Sequence, residues 1–146
     1  MTAILNRRGG TTVRVSTAPG TPSASGRPAS RLRFTPATGA VVVLTYHEAA
    51  TALYYCGTRL PANLNRTDIP ALVLHGVARL GLNQVRALSA AHHKSGLALL
   101  DRTITGRQYD TDQARLWPAS EGGQHQYNRA VDAVHSLTRT AAGAAQ

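Results

Sequence analysis

The chain has 146 residues, enough for a single domain with one modest core. Its 16 basic and seven acidic residues give a net charge of +9, which favours a polyanionic partner such as nucleic acid, an acidic membrane surface or an acidic protein. A single cysteine excludes a disulfide framework and a multi-cysteine zinc site. The longest apolar run, residues 40–44, is too short to span a membrane, and residues 1–8 lack the apolar stretch of a signal peptide, so we expect a soluble cytoplasmic protein.

The positive charge is concentrated at the start of the chain. Residues 16–30 consist almost entirely of Ser, Thr, Ala, Pro and Gly, a composition that cannot bury enough surface to offset chain entropy. We therefore predict a disordered, Arg-rich arm over residues 1–38. Alternating patterns at 11–15 and 32–34 could form short strands that pair with the folded domain. The arm has no acidic residue, and we expect its six arginines to contact nucleic-acid phosphates: Arg7, Arg8, Arg14, Arg27, Arg31 and Arg33. The alternative is a solubilising tail whose arginines reflect GC-rich coding.

The folded domain is predicted to begin with a strand and a helix. Residues 40–44 are apolar and rich in β-branched side chains, which favours a buried strand. Thr45 and Glu48 then have the spacing of a capping box, so we predict a helix over 46–56 that ends at Gly57. A second helix is expected to start at Thr67 or Asp68.

The remaining elements are mostly helical. The second helix carries Pro70 in its first turn and ends at Gly81; a third helix is predicted over 84–94, ending at Gly96. We predict a strand over 97–105 and a short helix capped by Thr111 within 106–117. The clearest helix is 124–139, followed by a frayed tail at 141–146. The fold class is thus α+β: a small, mostly helical single domain over residues 39–140 with two or three short strands.

Two helices separated by a tight turn within residues 69–96 have the size of a helix-turn-helix motif. Leu80, Gly81 and Leu82 resemble the apolar–glycine–apolar turn of that motif. The second helix would present Asn83, Gln84 and Arg86 at the end where base edges are read. An ordinary helical hairpin explains the same pattern, because glycine between two helices is common.

No motif indicates catalysis. His47 and Glu48 begin a sequence like the H-E-x-x-H zinc helix, but Thr51 stands where the second histidine is required. The other histidines have no metal-binding spacing, and Cys56, at a predicted helix C-terminus, is expected to be a core residue. No phosphate-cradling or dinucleotide-binding loop is present. We therefore expect no enzyme activity, cofactor or small-molecule substrate.

The chain as a whole resembles a known family. Of its basic residues, 15 are Arg and only one is Lys, which GC-rich coding would produce. Together with the stretches T-Y-H-E-A-A-T-A-L-Y-Y-C-G and H-G-V-A-R-L-G-L-N-Q-V-R-A-L, this bias resembles the small plasmid spread proteins of streptomycete conjugative plasmids. The resemblance implies an accessory role in moving plasmid DNA through the recipient mycelium, and membrane-bound plasmid transfer proteins as partners. It identifies no site residues.

Two hypotheses for function follow. The first is a soluble, non-enzymatic accessory protein in conjugative plasmid transfer that contacts DNA, a partner protein or both. The second is a transcriptional regulator that reads DNA with residues 69–96. A hydrolase or metal enzyme is the least favoured class.

Overall fold

The computed structural model describes residues 13–18, 31–57, 59–61 and 64–144, with side chains up to residue 137. Within these residues the chain forms three strands and five α-helices, which confirms a small α+β domain. The strands are β1 (Val13–Ala18), β2 (Arg31–Pro36) and β3 (Val42–Leu44). They form an antiparallel sheet in the order β1-β2-β3, with Val15 opposite Phe34 and Leu32 opposite Leu44.

Strands β1 and β2 correct the prediction of a disordered arm over residues 1–38. Leu32 and Phe34 are almost completely buried, so β2 is part of the core rather than of a tail. The alternation of Arg and apolar residues in R-L-R-F is a period-two pattern that buries one face of the strand. Apolar burial on that face stabilises the segment despite the Ser- and Pro-rich stretch before it. Residues 1–12 and 19–30 of the predicted arm lie outside the described residues.

The first helix, α1 (Tyr46–Tyr54), begins with the predicted capping box. The Glu48 amide donates to the Thr45 hydroxyl oxygen at 3.1 Å, and the Thr45 amide donates to the Glu48 carboxylate at 2.9 Å. Buried residues occupy most of the helix from Ala49 onward, so α1 forms the centre of the core. Cys56, just beyond the helix, is also buried, as expected.

Helix α2 (Ile69–Leu80) packs closely against α1. A Cβ atom built on Gly76 would overlap the carbonyl oxygen of Ala52, so the two backbones meet where only glycine fits. Asp68 occupies the position before the helix but makes no capping hydrogen bond with its side chain, whereas Pro70 lies in the first turn as predicted. Gly81, with φ of +92°, ends α2 and leads directly into the next helix.

Helix α3 (Leu82–Leu100) is longer than predicted and removes the strand expected at 97–105. It continues through Gly96, so this glycine does not end the helix as predicted, and an added Cβ there would meet open space. Its C-terminal part lies at the surface, with Leu97 and Leu100 exposed. The strand prediction was wrong because a run of apolar residues on an exposed helix has the same sequence pattern as a buried strand.

Two further helices complete the domain. Helix α4 (Gly106–Leu116) starts at Thr105, not Thr111, because the Thr105 hydroxyl accepts from the Gln108 amide at 3.1 Å. After a short 3-10 turn, α5 spans Gly123–Ala144, so the backbone remains helical over residues 141–144, where fraying was predicted. The core lies between the sheet and helices α1, α2 and α5, and Trp117 is a fully buried member of it.

Candidate nucleic-acid interface

The outer face of the sheet carries three of the predicted phosphate-binding arginines: Arg14, Arg31 and Arg33. Thr35 lies opposite Arg14, Ser16 opposite Arg33 and Ala18 opposite Arg31, so the alternation places all three arginines on one face. Their β-carbons are about 7 Å apart between neighbours, the usual spacing along a strand and diagonally across a pair. We call this surface the arginine face.

The other side of the sheet is closed to partners. Leu32, Phe34 and Leu44 point into the core, with exposures of 1% or less. The arginine face, in contrast, has Arg14 and Arg33 exposed and Arg31 half-buried. The sheet therefore presents its charged side to solvent and its apolar side to the helices.

No acidic side chain belongs to the sheet, because the first acidic residue in the chain is Glu48. The ion pairs Arg79–Glu121 and Arg115–Asp112 are both in the helical layer, which consists of helices α1 to α5 and the turns that join them. In addition, the Nε of Arg31 is buried without a hydrogen-bond partner in the described structure. Three neighbouring cations without an acidic partner repel one another, and an anion bound to this face would relieve that repulsion.

The other three predicted arginines, Arg7, Arg8 and Arg27, lie outside the described residues. Arg7 and Arg8 precede β1 by a few residues, and Arg27 is in the segment that joins β1 to β2. They are therefore linked by short lengths of chain to the strands that bear the arginine face.

The second predicted interface, at the start of α3, is exposed but differs from a helix-turn-helix. Asn83, Gln84 and Arg86 are all exposed. However, Gly81 alone separates α2 from α3, where the motif has a turn of about three or four residues. The helix that follows Gly81 also has 19 residues rather than the predicted 11.

A histidine cluster that the sequence did not predict lies in the helical layer. His47 from α1, together with His92 and His93 from α3, lines a surface cavity of about 360 Å³, whose other walls include Tyr109 and three leucines. The ring centroids of His47 and His92 are 5.9 Å apart. Histidines 45 residues apart meet only through helix packing, so no spacing in the sequence indicates this site.

Hydrogen bonds through the side chain of Gln113 fix the orientation of the His92 ring. The side-chain oxygen of Gln113 accepts from Trp117 Nε1 at 3.1 Å and lies 2.8 Å from His92 Nδ1. Because an indole can only donate, this oxygen is an acceptor, and Nδ1 of His92 must carry the proton. In the neutral ring, Nε2 of His92 is then left as the acceptor.

The rings of His47 and His92 favour the neutral form. Partial burial lowers the pKa of His47, and the nearby His135 and His93 lower it further. Burial also lowers the pKa of His92, against the opposing effect of its hydrogen bond to Gln113. Among the described residues, no group of three or more His, Cys, Asp or Glu side chains is arranged to hold a metal ion. The cluster therefore offers hydrogen bonds and a charge that depends on pH.

Comparison of the chain with known protein families, curated protein sequences and solved structures finds no match. No helix in the described part of the chain has the length and apolar character needed to cross a membrane.

Proposed function

We propose that this protein is a non-enzymatic nucleic-acid-binding protein whose arginine face contacts the phosphates of double-stranded DNA. The observation that carries this proposal is the placement of Arg14, Arg31 and Arg33 on the outer side of the sheet, with Arg14 and Arg33 exposed and no acidic residue among the three. Such an arrangement suits a linear polyanion better than a small ligand, because the charges are spread over a surface rather than gathered in a cavity.

The outer face of the sheet suits the regular charge of a duplex. Some DNA-binding proteins contact DNA through β-strands, and β1 and β2 of the three-stranded sheet bear the arginines on its outer side. Arginine, with its planar fork of donors, is well suited to phosphate oxygens. Arg7, Arg8 and Arg27 would add contacts from the segments next to these strands. We expect mainly non-specific binding, because phosphate contacts carry no base information.

The biological setting we propose is conjugative plasmid transfer. The resemblance to plasmid spread proteins supports it, and plasmid DNA in the cytoplasm would then be the polyanion that the arginine face contacts. Membrane-bound plasmid transfer proteins are the proposed protein partners. In this setting the protein acts on DNA after transfer, by binding rather than by catalysis.

A charge-matched comparison tests the DNA-binding proposal. The variant R14Q/R31Q/R33Q removes three charges from the arginine face, and K94Q/R107Q/R115Q removes three from the helical layer. At about 0.1 M salt, three lost phosphate contacts would weaken binding by roughly 10²–10³-fold. We expect that loss only in the first variant, measured by fluorescence anisotropy with a labelled duplex. Equal losses in both variants would mean that only net charge matters.

The exposed Asn83, Gln84 and Arg86 support the second candidate, a sequence-specific regulator. The single-residue link between α2 and α3 makes this candidate weaker, because it shortens the turn that seats a recognition helix. A regulator requires a discrete operator, and R86A would then reduce discrimination between operator and random DNA by about 1–3 kcal/mol. Footprinting over plasmid fragments distinguishes this behaviour from the non-specific binding proposed above.

A further inference from the structure

We infer that the cavity lined by His47, His92 and His93 binds a small organic anion: a compact carboxylate, sulfonate or phosphate attached to an apolar body. This inference is independent of DNA binding by the arginine face. It rests on the three histidines, on the composition of the cavity and on the way His92 is held.

The polar half of the cavity suits an anion. His47, His92 and His93 supply imidazole nitrogens, and Tyr109 adds a phenol hydroxyl. No carboxylate is among the lining residues, so an entering anion meets no repelling charge. Imidazoles become donors at both nitrogens when protonated, which provides charge-assisted hydrogen bonds to an oxyanion.

The apolar half of the cavity suits a hydrocarbon or aromatic body. Leu97, Leu99 and Leu100 line it, and Leu97 and Leu100 are among the large hydrophobic side chains most exposed in the described structure, at 47% and 78%. Exposed apolar surface beside convergent polar groups is typical of a ligand site. The volume of about 360 Å³ is at the lower end of the range for such sites, which favours a small ligand.

The groups that face the histidines from each packed helix determine the pH response. His47 on α1 faces His92 and His93 on α3, and Tyr109 on α4 also lines the cavity. From α5, the Tyr127 ring lies 5.2 Å from that of His92, and His135 is close enough to act on His47. Glu48 is adjacent in sequence, but its carboxylate accepts from the Thr45 amide. A bound anion would stabilise the protonated form of the imidazole rings. The protein therefore takes up protons when the anion binds, and its affinity for the anion increases as the pH falls.

Trp117 provides a reporter for this site. It is the only tryptophan in the chain, and its ring centroid lies 5.6 Å from that of His92. Protonation of His92, or a ligand that repositions its ring, should change the fluorescence of Trp117. Binding can therefore be followed without a label.

The test is titration of the full chain with benzenesulfonate, whose charge does not change between pH 5 and 8. Benzenesulfonamide provides a neutral compound of the same shape, and inorganic sulfate lacks the apolar body. We expect saturable binding of benzenesulfonate that strengthens about tenfold per pH unit for each proton taken up, between pH 7.5 and 5.5. We expect at least tenfold weaker binding of both comparison compounds. Calorimetry in two buffers of different ionisation enthalpy measures the proton uptake directly.

Variants separate this site from a general effect of charge. H47Q and H93Q each replace an exposed lining residue with a neutral amide, and H75Q replaces an exposed histidine on α2 outside the cavity. We expect a shallower pH dependence in H47Q and H93Q and no change in H75Q. Equal affinity for the sulfonamide, no proton uptake, or the same pH dependence in H47Q and H93Q as in the unmodified chain would each overturn the inference.

Discussion

The outer face of the sheet and the helical layer behind it differ in what their side chains do. The arginine face has charge and little packing: Arg14 and Arg33 are exposed, and no acidic residue occurs in the first 47 residues. The helical layer contains all seven acidic residues, most of the core and the histidine cluster. Substitutions on the arginine face should therefore change DNA affinity with little change in the free energy of unfolding. Substitutions in the packed core between the helices should change the free energy of unfolding with little change in DNA affinity.

The largest effect is expected where the helical layer is packed most tightly. Substitution G76A would place a Cβ against the carbonyl of Ala52 and force α1 and α2 apart. We expect a loss of about 3 kcal/mol in the free energy of unfolding, from overpacking against a backbone that cannot yield. Urea denaturation followed by circular dichroism measures it. The control is G96A, because a Cβ there meets open space within α3. If G76A were as stable as the unmodified chain, the close approach of the α1 and α2 backbones would be refuted.

On the arginine face, a single substitution should show the opposite behaviour. Arg33 lies between Arg14 and Arg31 and is exposed. We expect R33Q to weaken duplex binding about eightfold at 0.1 M salt, the contribution of one phosphate contact. Its unfolding free energy should stay within about 0.5 kcal/mol of that of the unmodified chain, as for other surface substitutions. If R33Q were destabilised and its DNA affinity unchanged, Arg33 would contribute to folding rather than to phosphate binding, and the proposed role of the arginine face would be wrong.

The capping box gives a smaller effect on stability. T45A removes the hydroxyl that accepts from the Glu48 amide, at the start of the helix that forms the centre of the core. We expect a loss of about 1 kcal/mol in unfolding free energy. T105A removes the cap of α4, whose only buried residue is Gln113, and should cost less. A larger loss in T105A would contradict the view that α1 is the more important helix for stability.

The smallest effect is a pH dependence of stability in the helical layer. His47 and His92 have pKa values lowered from 6.5, so the unfolded chain binds more protons than the folded chain near that pH. The free energy of unfolding therefore keeps the full contribution of these two histidines above pH 6.5 and decreases as the pH falls below it. Denaturation at pH 7.5, 6.5 and 5.5 should show this decline, with a smaller decline in H47Q. Increased stability on acidification would contradict the assigned direction.

Local patterns predicted those parts of the fold that depend on neighbouring residues. The capping box at Thr45 and Glu48 and the long final helix were both predicted from spacing and found. The strand predicted at 97–105 was wrong, because α3 keeps an apolar surface exposed to its end. Strands β1 and β2 were anticipated only as possible short strands at 11–15 and 32–34 within a disordered arm, because the Ser- and Pro-rich segment between them dominated the composition of the region.

Of the two candidate sites, one could be predicted from the sequence and the other could not. The arginines of the arginine face were predicted from the charge distribution, and the alternation R-L-R-F holds the information that places Arg31 and Arg33 on one side of a strand. The histidine cluster could not be predicted, because it depends on how α1 packs against α3. Tertiary contacts of this kind leave no periodic trace in the sequence.

The salt dependence of duplex binding tests the central claim most directly. Six phosphate contacts from residues 1–36 predict a slope of log K against log salt of about −5, and the variant R14Q/R31Q/R33Q should retain about half of it. The variant K94Q/R107Q/R115Q should keep the full slope. This result would identify the arginine face as the surface that contacts phosphates. The same slope in the unmodified chain and in R14Q/R31Q/R33Q would contradict the account, because it would show that DNA is bound elsewhere.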